Sequence, residues 1–218
     1  VLDTSLAQMF SQLEHRDIDF ELIGPWRTEQ ETFEAPPGAL WRMIHIDITP
    51  NRDDDPDIEP PSTITFEPRM MGSGVFGEDR TIPRICCGPG PEMAMYAIDP
   101  DGLTFMHRPA LTGVGERLKA EHMDWSPSAW VMYVNSETVT ATRPPDTMLP
   151  DGRVTGEIWL TEPAKFHRVF TLNDDQVRRV GTAIHGAKQF DDDNHRGAVL
   201  AIHRKLHEMG VISGERMG

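Results

Sequence analysis

The sequence predicts a mainly β protein: a double-stranded β-helix of jelly-roll type with a helix towards each end. Three observations predict it. Hydrophobic residues fill 38% of the 218 positions beside 18 glycines and 18 prolines, a composition of short strands and many turns. From Leu118 onward, short apolar runs recur at close intervals with turn residues between them, as in a sandwich or jelly roll. Helical spacing of apolar residues occurs near the two termini.

The length suits one domain over 1–218 with a sizeable core. Within it, 1–112 reads as a helix and strands that extend the sheet, 113–184 as the barrel core, and 185–218 as a helical segment. At 4–16, Asp3 or Thr4 can cap a helix whose apolar face carries Leu6, Met9, Phe10 and Leu13. Short strands follow at 20–23 and 26–33, punctuated by Gly24-Pro25. Pro36-Pro37-Gly38 then opens a strand over 40–49. Its alternation puts Leu40, Ile44, Ile46 and Ile48 on one face, and Trp41, Met43, His45 and Asp47 on a polar, half-exposed one.

The acidic, proline-rich run 51–61 is a loop that can bury nothing. A strand resumes at 63–66, and three glycines make 70–77 a turn. Two strands are expected at 82–87 and 93–98 around a Gly-Pro-Gly-Pro turn, and Asp99-Pro100-Asp101-Gly102 is a further turn. The barrel strands are then 130–134, 138–142, 154–160, 166–172 and 177–184, with bends at Pro144-Pro145 and Pro150-Asp151-Gly152. A helix capped by Asp193 or Asn194 runs to about Met209, with Val199, Ile202, Leu206 and Met209 on its apolar face.

The formal net charge of −14 argues against nucleic acid or an anionic membrane as partner, since both call for a basic surface. No apolar run approaches the length of a membrane span, and no secretory signal pattern opens the chain. The two cysteines are adjacent, Cys86 and Cys87. Neighbours of this kind rarely pair, so they read as small buried hydrophobes in a protein of the reducing cytoplasm.

Four residues at telling intervals carry the chemistry. His122 and Asp124 form a His-x-Asp pair, His167 follows 45 residues after His122, and Arg178 comes 11 residues later. Two imidazoles and a carboxylate on one side of a metal favour non-haem Fe(II) and leave positions open for ligands. A guanidinium nearby would grip a carboxylate in its planar fork. On a strand, Arg178 and Arg179 point to opposite faces, so one of the two reaches such a site, and spacing favours Arg178. A rival His-x-Asp, His45 and Asp47, lies on the strand at 40–49. His203 and His207 stand four apart on the last helix, a spacing that can bind metal, but without a third ligand they read as a solvated polar face. His15, His107, His185 and His195 carry no pattern.

The run GEIWLTEPAKFHRVFTLNDDQVRRV, residues 156–180, resembles the distal motif of 2-oxoglutarate-dependent Fe(II) oxygenases. The branch is that of the aspartyl/asparaginyl-hydroxylase-like enzymes, which includes free-amino-acid hydroxylases of the proline cis-4-hydroxylase type. There a Gly-Glu-x-Trp strand, here Gly156-Glu157-Ile158-Trp159, leads to the distal His, and an Arg on the next strand binds the co-substrate. GVGERLKAEHMDW, residues 113–125, is similar in placement to the proximal turn, strand and metal pair. The likeness covers a third of the chain, from Gly113 to Ile184. It departs from the family after the proximal pair, where an Arg-x-His-x-Pro-like run is replaced by Ala129-Trp130-Val131-Met132-Tyr133-Val134.

The resemblance implies Fe(II) held by His122, Asp124 and His167, with the far carboxylate of 2-oxoglutarate on Arg178. Dioxygen would be the oxidant and succinate and CO2 the by-products. An unactivated C–H of a free amino acid, or of an Asp or Asn side chain in a peptide, would be hydroxylated. Two other classes fit the same residues: a cupin-type metal-dependent isomerase or lyase that needs no 2-oxoglutarate, and a metal-free jelly-roll interaction protein.

Overall fold

The computed structural model describes residues 27–47, 60–70, 78–98, 128–150, 152–188 and 195–212. Eight strands lie among them: β1 (Glu31–Ala35), β2 (Trp41–Asp47), β3 (Thr63–Phe66), β4 (Ile85–Cys87), β5 (Ser128–Asn135), β6 (Val139–Arg143), β7 (Ile158–Leu160) and β8 (Ala164–Leu172). The helices are α1 (Pro91–Ile98), the single turn α2 (Gly152–Thr155), α3 (Asp174–Lys188) and α4 (His195–Glu208). The expected helix at 4–16, the strand at 20–23, the turn at 99–102 and most of the 51–61 and 70–77 loops lie outside the described residues.

The strands make two four-stranded antiparallel sheets, ordered β1-β6-β7-β4 and β2-β5-β8-β3. The fold is therefore mainly β, with three helices longer than one turn among the described residues. β1 to β4 come from the 1–112 stretch and β5 to β8 from 113–184, so both halves of the chain build both sheets.

Two apolar layers hold the elements together. Between the sheets lie Ala35, Ile85, Cys87, Ala141, Ile158 and Leu160 from one side, and Leu40, Val131, Tyr133, Ala164 and Phe166 from the other. On the far face of the second sheet, Trp41, Met43, Met132, Val134 and Leu172 pack against α1, α3 and α4. β5 sits in the middle of this arrangement, and Val131, Met132, Tyr133 and Val134 are all 0% exposed. That explains its unbroken apolar run: a strand covered on both faces has no reason to alternate. Burying each of these side chains contributes roughly 1.5–3 kcal/mol.

The expected polar face of β2 fails for the same reason. Trp41 and Met43 are buried under the helical layer, while Leu40 and Ile44 belong to the inter-sheet layer. Two other expected strands are helices. Residues 93–98 belong to α1, where Pro91 takes the first helical position and Glu92 the first turn. Met93, Ala94, Met95 and Tyr96 are all buried, so the segment carries no amphipathic signature of either period. Residues 177–184 belong to α3, whose start is a reciprocal cap. Asn173 Oδ1 accepts from the Gln176 backbone N–H at 2.9 Å, and Gln176 Oε1 accepts from the Asn173 N–H at 3.0 Å. Val177, Val180 and Ile184 then fall on one buried helical face. The expected strand at 154–160 is shortened to β7, since Thr155 still belongs to α2.

Asn135, fully buried at the end of β5, ties the corner where the sheets meet. Its Oδ1 accepts from the Leu40 N–H at 2.8 Å, and its Nδ2 donates to the carbonyls of Pro36 at 2.8 Å and Glu137 at 2.9 Å. β4 closes the sandwich on its other side. Trp41 and Gly88 exchange backbone hydrogen bonds at 2.8 and 2.7 Å, and Arg69 and Arg84 do so at 3.1 and 3.0 Å. β4 therefore meets β2 and the chain just beyond β3, the two edges of the opposite sheet.

Candidate functional site

His167 lies in β8, level with Val134 on one side and Thr63 on the other. Its neighbour Phe166 is 0% exposed in the inter-sheet layer, so alternation turns the imidazole away from that layer. Simple alternation would put Phe166 and Phe170 on one face, but Phe166 is inside while Phe170 packs on the helical side, because β8 slips register opposite Met132 and Tyr133. The half-buried ring of His167 is held by Thr63, whose Oγ1 lies 2.9 Å from Nδ1.

His122 and Asp124 lie outside the described residues. The rival pair is placed by its backbone: His45 is level with Trp130, and Asp47 with Ser128. His167 is level with Val134, four residues further along β5, or roughly 13 Å at the rise of a strand. The backbones of His45 and Asp47 are therefore well separated from that of His167 along the sheet. Among the described residues, no group of three His, Cys, Asp or Glu side chains is placed to hold a metal.

Arg178 is on α3, not on a strand, and it is exposed. Arg179 is exposed beside it and pairs with Asp175 at 2.9 Å, one helical turn back. The expected division of these two arginines between opposite faces of a strand does not hold.

The Gly156-Glu157-Ile158-Trp159 run has a clear local structure. Gly156 sits at φ 62°, where glycine is favoured, and a Cβ there would come within 2.9 Å of the Met93 side chain. Trp159 Nε1 donates to Glu157 Oε1 at 2.7 Å. Cys86 and Trp159 are level across the β4–β7 ladder, and the Cys86 thiol bonds the Glu157 carboxyl. Burial is the largest influence on Glu157 and pushes its pKa above the ordinary carboxylate range. Glu78 reinforces the rise, while the thiol, the indole and Arg84 oppose it.

Arg84 stacks 4.1 Å over the Trp159 ring, pairs with Glu78, and donates to the Asp79 carbonyl at 2.8 Å. Both thiols are raised chiefly by burial, Cys87 to about 12 and Cys86 well beyond the ordinary thiol range. Cys87 is a buried apolar filler as expected, whereas Cys86 is half-buried and part of a polar cluster.

Sequence reading missed a second polar cluster, between α1 and α4. Buried Glu92 bonds His203 Nδ1 at 2.8 Å, and Tyr96 Oη lies 2.5 Å from His195 Nδ1. His203 is therefore drawn against a carboxylate rather than solvated, while His207 is exposed as expected. The available signal was that Glu92 and Tyr96 are four apart on one helix and so share its face. It went unseen because 93–98 reads as a strand.

Fold and site together define a class, a two-sheet antiparallel β-sandwich with a helical layer on one face. Comparison with protein-family models, curated proteins and solved structures finds no match.

Proposed function

We propose that the chain is an Fe(II)- and 2-oxoglutarate-dependent hydroxylase of a free amino acid or of an Asp or Asn side chain, with His122, Asp124 and His167 as iron ligands. The ordered set of His-x-Asp, Gly-Glu-x-Trp, His and Arg supports this reading. The observation that carries it is His167. With Nδ1 engaged by Thr63, the imidazole is oriented and Nε2 remains as the ligating atom, the usual outer-shell support of a metal-bound histidine. The strand layout also supports a double-stranded β-helix: two four-stranded antiparallel sheets, with the chain crossing between them at every strand connection except β2–β3 and β6–β7.

The donor set of two imidazoles and one carboxylate fits iron, which when bound would supply dioxygen activation for C–H hydroxylation. Thr63 fixes the orientation of one donor, His167, on the helical side of its sheet. Covalent reach sets a demand on the other two. Ser128 is six residues from Val134, about 20 Å along β5, and four residues span at most about 14 Å. Asp124 meets His167 only if the chain before β5 runs back along the sheet.

The co-substrate clamp does not fit at Arg178, which is exposed on α3. That observation favours a second reading, a cupin-type metal-dependent isomerase or lyase with no use for 2-oxoglutarate. Succinate formation from 2-oxoglutarate, measured with iron and a panel of amino acids, separates the two. Turnover lost in both His167→Ala and Arg178→Ala supports the full assignment. Turnover that survives Arg178→Ala moves the clamp elsewhere, and no succinate from the wild type overturns the 2-oxoglutarate reading.

A further inference from the structure

With Arg178 exposed on α3, the far carboxylate of the co-substrate lacks a cation beside His167. Three Lys or Arg side chains stand on the strands of the sheet that carries His167: Arg42 on β2, and Lys165 and Arg168 on β8. Alternation separates them. Trp41 and Met43 face the helices, so Arg42 between them faces the opposite sheet, where it donates to the Cys86 carbonyl at 2.5 Å. Arg168 is level with Tyr133, a member of the inter-sheet layer, and is engaged by the Pro60 carbonyl. Lys165 stands between Ala164 and Phe166, both in the inter-sheet layer, so its side chain leaves on the other face together with His167.

Two rungs of the β3–β8 ladder therefore present side chains on that face. Thr63 is level with His167, and Thr65 with Lys165. The rungs are about 7 Å apart along the strand. On the first, Thr63 Oγ1 holds His167 Nδ1 at 2.9 Å. On the second, Lys165 and Thr65 are exposed, and among the described residues neither the ammonium nor the hydroxyl has a partner. The backbone beneath them is pinned. The Lys165 carbonyl accepts from the Ser136 N–H and from Ser136 Oγ, both at 2.9 Å, and its N–H donates to Glu137 Oε1 at 3.4 Å.

We infer that Lys165, with Thr65, receives the far carboxylate of 2-oxoglutarate in place of Arg178. The inference rests on the iron role of His167 proposed above. A dicarboxylate whose oxo-acid head lies at a metal on His167 needs a cation on the same face, set back from the ligand. Lysine meets a carboxylate as a point charge with three rotatable donors, so it does not need the coplanar approach of a guanidinium fork. The Thr65 hydroxyl adds a neutral donor on the same rung.

The test is affinity rather than turnover. Iron-loaded, oxygen-free protein is titrated with 2-oxoglutarate and with 2-oxobutanoate, which has the same oxo-acid head and no far carboxylate, and Fe(II) binding is measured separately. The wild type should prefer 2-oxoglutarate. Lys165→Met should weaken 2-oxoglutarate by about tenfold or more, leave 2-oxobutanoate and Fe(II) binding unchanged, and so erase the preference. Lys165→Arg should keep most of it. The assignment is overturned if Lys165→Met binds 2-oxoglutarate as the wild type does, if it weakens both acids equally, or if the preference is lost in Arg178→Met instead. Failure of the wild type to bind iron and either acid overturns the iron reading and this inference together. Iron and 2-oxoglutarate binding that ignores Lys165 overturns this inference alone.

Discussion

Glu157 shows how one residue of a motif can have a structural explanation as well as a functional one. Its carboxyl accepts from Trp159 and from the Cys86 thiol, and burial holds it protonated above the ordinary carboxylate range. The sign of the resulting pH dependence follows. In the unfolded chain the group ionises near 4.5, while in the folded protein it ionises higher. As pH rises from 4.5 through the folded value, the unfolded state gains charge first and stability falls. Glu157→Gln keeps an acceptor for the indole and removes the titration. Its denaturant midpoint should match the wild type at low pH and exceed it at pH 8. Equal midpoints at both pH values would contradict a buried, raised carboxyl.

At the scale of elements, legibility depended on how many faces are covered. β3, β5, β6, β8 and α4 were readable because their composition or apolar spacing survives in the sequence. α1 was not, because a short helix buried on nearly all sides loses the 3.6-residue signature and leaves only an apolar run. α3 was readable in principle. Asn173 and Gln176 spell a capping box, and Val177, Val180 and Ile184 have helical spacing, but the run abuts β8 and looks like one more strand. Those misreadings carried the site with them. Arg178 changed faces, and the Glu92–His203 and Tyr96–His195 pairs stayed hidden. Replacing Asn173 with Ala should cost about 1 kcal/mol by removing one half of the cap. Chemical denaturation measures it, and no change would mean that packing of the Val177 face alone sets where α3 begins.

At the scale of the molecule, the sheets are closed by small contacts at β4. Gly88 is central among them. It exchanges two backbone hydrogen bonds with Trp41, and a Cβ there would lie 2.6 Å from the Ala94 backbone nitrogen and 3.0 Å from its Cα. The obstruction is main chain, so α1 would have to move. Gly88→Ala should therefore cost about 1–3 kcal/mol, read as a lowered unfolding midpoint, and a neutral substitution would argue against this close approach. The closed sandwich also sets the terms for function. His167 is turned toward the helical side of its sheet, so the proposed iron site would have to draw its other two ligands to that face.

That claim is tested most directly by anaerobic titration of the protein with Fe(II) and then 2-oxoglutarate, in the wild type and in His167→Ala. The account predicts stoichiometric Fe(II) binding and a weak visible charge-transfer band on adding 2-oxoglutarate, both lost in the variant. Iron that fails to bind the wild type, or that binds His167→Ala equally well, would contradict it and leave a metal-free sandwich as the better description.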